Sequence, residues 1–423
     1  MSDRLLKRRV LVVALTVVAI ASLGLPGARG DSAAGSADEL TIGALLDLSA
    51  GWTSLGRASR VTLRLAAADA NARLAKSGSG LRVRLKIVDV HGDPLASARA
   101  LRRLASEGVR VTIGPQASSE VRAVRAPADS LGTVVISQGS TASALAIRGD
   151  NVLRFVPDDR RESEALVALL KRDGIDAIVP VWRQDLGNAG LARSTRKRFS
   201  GAGGSVAKGV RYGTDVSDFR PTLDAVRAQV AALRSGGASR VAVYLAGFDE
   251  VVGLFQAAIG DQVLGSLPWY GSDGVALSPR LLAADNAAAF AASVGYPNPI
   301  LGLDDAAARR SRKLVRRIKT RLGRTPDAFA LSAYDAFQVA VRASARAGGA
   351  HDPDRLRRAL VAVGDGYRGV SGRLALNAAG DRAYGSYDFW SVCTSGAAPA
   401  WKRTWSYVAR ASGSGRIVAR ERC

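Results

Sequence analysis

The chain has 423 residues, of which 47% are hydrophobic and 23% are charged, and its formal net charge is +23. This composition excludes a disordered chain, and the length is sufficient for two domains with their own cores. Most basic residues are spread singly along helix-like segments, and the one dense basic stretch, residues 308–324, contains no aromatic residue that could stack on a base. We therefore expect no nucleic-acid partner, and the charge could instead attract the protein to an anionic cell-envelope surface.

The N-terminus carries an export pattern, in which basic residues precede the apolar run VLVVALTVVAIASLGLPGA. This pattern predicts a signal peptide over residues 1–30, followed by a linker at 31–38 that is rich in small residues. An uncleaved membrane anchor is the alternative, but Gly24, Pro26 and Gly27 interrupt the end of the run. We expect a secreted or periplasmic protein that is associated with the cell envelope.

The chain contains two cysteines, Cys393 and Cys423. In an exported protein they meet an oxidising compartment, which favours a disulfide between them over two free thiols. The bond would close a loop of 30 residues, and the chain-entropy relation gives about 3 to 4 kcal/mol of stabilisation for it.

Strand-like and helix-like segments alternate from residue 39 onwards. The first series has the strands LTIGALLDL, LRVRLKIVDV, VRVTIG and TVVIS, and a second series after residue 155 includes AIVPVW, RVAVYLAG and LPWYG. Such alternation predicts two α/β units, each with a doubly wound parallel sheet and right-handed crossovers. Ligands of such sheets bind beyond the carboxyl ends of the strands.

Hydroxyl side chains follow two neighbouring strands of the first unit. Ser118 and Ser119 come after VTIG, and Ser140 and Thr141 come after TVVIS. Helix capping explains one serine of such a pair, and a helix start is also a receptor for a carboxylate. Because both strands end at one edge of the sheet, we predict that the four hydroxyls line a carboxylate site and that Ser118 also caps its helix.

The chain resembles the periplasmic (type I) substrate-binding proteins of branched-chain amino acid ABC transporters, over about residues 39 to 392. The segments that carry the resemblance are, in chain order, LTIGALLDLSAGWTSLG, VTIGPQASS, VISQGSTAS, RFVPDD, WRQDLGNAG, LAGFDE, WYGSDG and VSGRLALNAAGDRAYGSYDFW. The resemblance implies two lobes that close by a hinge over a small ligand, which is delivered to an ABC permease in the membrane.

The resemblance also implies where the lobes and the hinge lie. The N-terminal lobe comprises 39–155 and 297–368, and the C-terminal lobe comprises 156–296 and 369–423. Three crossovers near residues 155, 297 and 368 join them. We expect the protein to be a monomer.

The family's ligand contacts map onto six residues of this chain. Hydroxyls and main-chain groups of the first lobe would hold the ligand's carboxylate, an acidic residue of the second lobe would hold its ammonium, and an aromatic ring would cover it. These residues are Ser118, Ser119, Ser140 and Thr141 for the carboxylate, Asp273 for the ammonium and Phe248 for the cover. Two alternatives remain open: Asp273 shapes a turn or caps a helix that begins at Leu277, and Phe248 is a core residue.

One segment departs from the family pattern. Where family members have an acidic residue and a tyrosine, this chain has Trp182 and Leu186. The hydrogen bond from the tyrosine hydroxyl is therefore missing. The ligand could be an amino acid of another kind, an aromatic acid or another carboxylate.

Enzyme function is the competing class. We find no nucleophile elbow, phosphate-binding loop or zinc-protease motif, and the two histidines, His91 and His351, lie in turn-like segments. His91 with Asp89 and Asp93 could bind a metal, but a loop cap explains them with fewer assumptions. We expect a binding protein that is not an enzyme and has no cofactor and no metal. A module that senses a ligand for a separate membrane signalling protein is the alternative function.

Overall fold

Of this chain, the computed structural model describes residues 39–349, 352–394, 398–410 and 413–423. The predicted signal peptide and linker lie outside the described residues, as does His351. Within the described ranges, no helix combines the length and the apolar character that a membrane span requires.

Sixteen strands and thirteen α-helices make up the described ranges, together with one 3-10 turn. The strands are β1 (Glu39–Leu46), β2 (Arg82–Asp89), β3 (Val111–Ile113), β4 (Val134–Ser137), β5 (Val152–Arg154), β6 (Ala177–Arg183), β7 (Ser205–Val206), β8 (Val210–Tyr212), β9 (Val241–Ala246), β10 (Trp269–Tyr270), β11 (Asn298–Leu301), β12 (Arg368–Gly369), β13 (Gly372–Arg373), β14 (Tyr387–Cys393), β15 (Ala400–Arg410) and β16 (Gly413–Ala419). The helices are α1 (Thr53–Lys76), α2 (Pro94–Ser106), α3 (Ser118–Leu131), α4 (Asp159–Arg172), α5 (Leu186–Gly201), α6 (Arg220–Ser235), α7 (Val251–Ala258), α8 (Gln262–Gly265), α9 (Pro279–Ala283), α10 (Asp285–Ser293), α11 (Asp305–Leu322), α12 (Ala328–Arg346) and α13 (Pro353–Gly364).

Two parallel sheets form the centres of two lobes. The sheet of the first lobe has the strand order β2-β1-β3-β4-β5. The sheet of the second lobe has the order β10-β9-β6-β7, with β8 also paired to β6. Strands such as VAVYLA in β9 are buried along their whole length, because helices cover both faces of a parallel sheet. The predicted α/β class with two parallel sheets is confirmed.

Packing assigns the helices to the two lobes. Helix α12 is buried on most of its surface and packs against α1 and the first sheet, where Phe337 lies in one apolar cluster with Ile42 and Leu153. Helix α4 packs with α5, and Leu166 shares a cluster with Tyr244 of the second sheet. Each lobe therefore combines segments that are distant in the chain.

Strand β5 belongs to the first sheet, the next helix, α4, packs against the second sheet, and β11 pairs with β14. Ile300 and Leu301 of β11 pack with Trp52 and Phe248, which come from different lobes. Leu374 still packs with the first sheet, although it lies beyond the third predicted crossover. The predicted limits of the lobes and of the hinge stay a prediction.

A third, antiparallel sheet combines β11 with three C-terminal strands in the order β11-β14-β15-β16, and the sequence did not predict it. Cys393 at the end of β14 is bonded to Cys423, and their Cα atoms lie 5.0 Å apart. The predicted disulfide is therefore present, and it ties the chain terminus to β14.

Candidate functional site

A narrow cavity lies between the two lobes, at the carboxyl ends of the strands. Its lining residues are Trp52, Ser118, Gly139, Thr141, Gly187, Asn188, Leu191, Phe248 and Asp273. The enclosed space is about 10 Å³, which is close to what one water molecule requires. A ligand of amino-acid size would therefore require the lobes to separate from this closed arrangement.

Four of the six predicted site residues line this cavity: Ser118, Thr141, Phe248 and Asp273. Ser140 lies directly behind Ser118, with the two Oγ atoms 3.0 Å apart. The Oγ atom of Ser119 instead accepts a hydrogen bond from the Leu186 N–H of the other lobe, at 3.4 Å. The structure thus brings together residues that span the chain from Ser118 to Asp273, and Ser119 lies at the edge of the group.

Ser118 does not cap its helix, contrary to the prediction. The residue before α3 is Ala117, and Ser118 is already the first helical residue. Its Oγ accepts a hydrogen bond from the Ala142 N–H at 3.2 Å, in addition to its bond with Ser140. The Ala117 N–H is satisfied by Glu120, which reaches back from the first turn, at 3.0 Å. The Ser118 hydroxyl therefore contacts the loop after β4 and does not cap the N-terminus of its own helix.

Buried polar groups hold the loop that carries Ser140 and Thr141. The Ser140 N–H donates to Ser137 Oγ at 3.1 Å, and the Thr141 carbonyl accepts from the Asp159 N–H at 2.9 Å. Arg154 donates to the Ala142 carbonyl at 2.7 Å. The guanidinium of Arg154 also forms a bidentate salt bridge with the Asp381 carboxylate, with N···O distances of 2.7 and 2.6 Å. The side of the cavity that carries the hydroxyls of Ser118, Ser140 and Thr141, here called the hydroxyl wall, is therefore fixed by contacts that could not be identified from the sequence.

Two aromatic rings close the cavity on another side. The rings of Trp52 and Phe248 are stacked, with centroids 4.6 Å apart and planes inclined by 22°. The edge of Phe329 contacts Trp52, with centroids 6.2 Å apart. Phe248 is therefore part of an apolar cluster and also lines the cavity. Trp52 was missed as a site residue, although its place just after the first strand is a signal that it lies at the sheet edge.

Asp273 belongs to a group of buried carboxyls. Its backbone N–H donates to Glu162 Oε1 at 3.1 Å. Burial raises the pKa of Asp273 to about 7. Burial also raises the pKa of Glu162 and of Asp159 well above the usual range, and repulsion from Asp273 adds to both shifts. Asp273 does not cap a helix, because α9 begins at Pro279 and is capped by Ser278. Sequence reasoning missed Glu162 and Asp159.

The two positions that depart from the family pattern lie outside the cavity lining. Trp182 is half-buried, and the guanidinium of Arg196 lies 5.9 Å from its ring centre. Leu186 contributes its backbone N–H to the contact between the lobes. Neither residue therefore replaces the missing tyrosine hydroxyl at the cavity.

His91 lies in the loop after β2 and is exposed. Its Nδ1 atom is 2.6 Å from Ser49 Oγ, and its backbone N–H donates to Asp89 at 3.0 Å. Among the residues that the structure describes, no three His, Cys, Asp or Glu side chains are grouped so that they could hold a metal ion. The contacts of His91 are those of a loop turn.

The family profile of periplasmic binding proteins matches residues 39–397. The chain belongs to this family. The match includes both parallel sheets and the strands β11 and β14 of the antiparallel one, and it confirms the resemblance seen in the sequence.

A relative and two solved structures illustrate the similarity. An uncharacterized protein of Methanocaldococcus jannaschii is 27% identical over 374 residues, which cover 84% of this chain and 88% of that protein. The branched-chain amino acid transporter substrate-binding protein LivJ of Streptococcus pneumoniae, solved with isoleucine, is 16% identical, with a TM-score of 0.70 over 90% of this chain and 100% of that one. A solute-binding protein of an ABC transporter from R. palustris, solved with benzoate, is 20% identical, with a TM-score of 0.69 over 90% of this chain and 98% of that one. At these identities the two structures share the fold with this chain.

Proposed function

We propose that this periplasmic binding protein is the extracellular receptor of an ABC importer and that it clamps an amino acid or a related carboxylate between its two lobes. The observation that supports this function most directly is the composition of the cavity. Hydroxyls of Ser118 and Thr141 come from the first lobe, and the carboxyl of Asp273 comes from the second. The two walls thus offer opposite chemistry to the two ends of one small molecule.

The hydroxyl wall suits a carboxylate. Ser118 lies in the first turn of α3, where free backbone N–H groups and the positive end of the helix dipole favour an anion. Ser140 and Thr141 add hydroxyls from the loop after β4. The binding proteins of similar fold hold isoleucine and benzoate, both of which are carboxylates.

The opposite wall suits an ammonium group. Asp273 can accept hydrogen bonds from a ligand N–H while Trp52 and Phe248 cover the ligand's apolar part. Each charge of a zwitterion would cost several kcal/mol if it were buried without a partner. A ligand that finds one partner on each lobe therefore stabilises the closed state over the open one.

Closure would occur about the three crossovers near residues 155, 297 and 368, and the closed monomer would present the ligand to a membrane permease. Export to the cell envelope follows from the predicted signal peptide and is part of this proposal.

The test is to identify what the protein carries. Small molecules released on denaturation of the purified protein would be identified by mass spectrometry, with a heat-treated sample of buffer as the blank. The twenty amino acids and benzoate would then be screened by thermal shift. At a ligand concentration of 100 Kd, binding adds about 2.7 kcal/mol to the free energy of unfolding. If no amino acid or carboxylate is released and none raises the melting temperature, the proposed function is wrong.

A further inference from the structure

Three carboxyl groups of the second lobe meet at the wall of the cavity that Asp273 lines. Asp159 and Glu162 lie in the first turn of α4, and both are at most 1% exposed. Asp273 lies after β10, and its N–H bonds to Glu162. Gly190 on α5 makes room for this group, because a Cβ atom there would lie 2.8 Å from Asp159 Oδ2. The cluster is thus enclosed by two helices and the end of a strand.

Several oxygen atoms around this cluster have no hydrogen-bond partner. They are Glu162 Oε2, Asp159 Oδ1 and the hydroxyl of Tyr244, all of which are buried. Burial raises the pKa of Tyr244 well above its usual range, and the negative charges of the three carboxyls raise it further. Unpartnered buried oxygens are costly. Their convergence indicates that this site is built for a group that donates hydrogen bonds.

The surroundings offer little positive charge to compensate the cluster. The groups outside the cluster that act on it are Tyr244 on β9, Tyr387 on β14, Asp185 before α5, Arg154 on β5 and Arg160 on α4. The guanidinium of Arg160 is already paired with Asp158. Arg154 acts on Asp159, but its guanidinium is already bound to Asp381. Two carboxyls in contact cannot both ionise at low cost without a compensating cation.

We propose that Glu162 and Asp273 share one proton in the ligand-free protein and that the ammonium group of an amine-bearing ligand displaces it. Glu162 is then a specificity-determining residue, although it was absent from the predicted ligand set. The inference rests on the proposed function. In the exchange an O–H bond of the pair breaks, the proton passes to the solvent buffer, and the ammonium N–H groups donate to the Asp273 carboxylate that lines the cavity.

The exchange has a consequence for the choice of ligand. A carboxylate without an amine leaves the proton in place, so it binds without releasing one and without a large pH dependence. For an amine-bearing ligand, protons compete for the site. Because burial raises the pKa of both carboxyls, we expect the affinity for such a ligand to fall as the pH is lowered, by roughly tenfold per pH unit for each proton that the ligand displaces.

The binding test uses matched probes with and without the amine. L-leucine and 4-methylpentanoate form one pair, and L-phenylalanine and 3-phenylpropionate form another. Calorimetry at pH 7 in phosphate and in Tris gives the number of protons released. We expect net proton release for the amino acid that binds, and none for its amine-free partner. Binding of an amino acid with no proton released would overturn the inference and leave the proposed function intact.

Glu162→Gln tests the residue itself. Glutamine keeps the acceptor for the Asp273 N–H and can donate to the Asp273 carboxylate, but it has no proton to lose. We expect proton release to disappear in this variant. Glu164→Gln is the matched control, because Glu164 lies on the same helix but accepts from the Tyr407 hydroxyl, away from the cavity. An equal loss in both variants would reject a specific role for Glu162.

A ligand-free measurement tests the shared proton independently. Burial raises the folded-state pKa values of Glu162 and Asp273, so their contribution to stability is complete below the unfolded pKa values and is lost as the pH rises through the folded ones, of which that of Asp273 is about 7. The melting temperature of Glu162→Gln relative to the wild type should therefore increase between pH 5 and pH 8. A difference that does not change with pH would reject proton sharing. If none of the four probes binds, the displacement of the proton by leucine or phenylalanine is rejected. The proposal that the protein binds a ligand like leucine or phenylalanine is then rejected as well.

Discussion

The indole ring of Trp52 lies on the phenyl ring of Phe248, 4.6 Å away, and the two rings belong to different lobes. Trp52 precedes α1, whereas Phe248 follows β9. The Asp249 N–H donates to the Gly51 carbonyl beside them, at 3.3 Å. The pair is therefore a contact that exists only when the lobes are together, and it stabilises the closed arrangement.

Replacement of Trp52 by Ala should weaken ligand binding. The variant loses the stacked pair, which is worth about 0.5 to 1.5 kcal/mol beyond the buried area, and we expect a total loss of roughly 1 to 3 kcal/mol in binding. Calorimetry with the ligand identified by mass spectrometry measures it. Trp52→Phe keeps an aromatic ring and should retain most of the affinity. Equal affinities for the wild type and Trp52→Ala would show that the stacked pair does not stabilise the closed, ligand-bound state.

Asp273→Asn should weaken the binding of an amino acid by roughly 2 to 5 kcal/mol, as expected when a buried charge loses its partner. A ligand without an amine should lose much less. The exposed Asp285, on α10, provides the control variant Asp285→Asn. If Asp273→Asn binds the amino acid as well as the wild type does, Asp273 is not the ammonium partner, and a simple carboxylate becomes the better ligand.

Asp381→Asn should destabilise the whole protein. Arg154 and Asp381 are buried, and loss of one partner leaves the other charge uncompensated, which typically costs about 3 to 5 kcal/mol. Chemical denaturation measures the free energy of unfolding. The ion pair of Arg220 and Asp218 is exposed, so Asp218→Asn should leave the midpoint unchanged. Similar midpoints for both variants would contradict a stabilising role of the buried pair.

Reduction of the disulfide between Cys393 and Cys423 should lower the melting temperature without unfolding the protein. The bond closes a loop of 30 residues, for which chain entropy predicts about 3 to 4 kcal/mol. The large cores of the two lobes do not depend on it. The double variant Cys393→Ser, Cys423→Ser should melt like the reduced protein. Two titratable thiols in the unreduced protein would show that the bond does not form in solution.

The exported protein should begin near Asp31, because the predicted signal peptide ends at residue 30. N-terminal sequencing of material from the cell envelope or the medium tests this. An intact Met1 in a membrane fraction would favour the uncleaved anchor instead.

The sequence by itself determined the two α/β lobes. Apolar strands that alternate with helices, such as β1 and β9, can be buried only in parallel sheets that helices cover on both faces. The same regularity predicted that Ser118 and Thr141 would lie at one sheet edge, because parallel strands end together. These features depend on local periodicity and chain direction, and both can be read from consecutive residues.

Only the tertiary structure decided which distant groups meet. Glu162 bonds to Asp273 across 111 positions, and Arg154 pairs with Asp381 across 227. No local pattern marks such partners, because their contact depends on how α4 packs against the second sheet and on where the chain returns between the lobes. Burial also changed the chemistry: a carboxyl that ordinarily ionises below pH 5 has its pKa raised to about 7 at Asp273, since the lobes remove it from water.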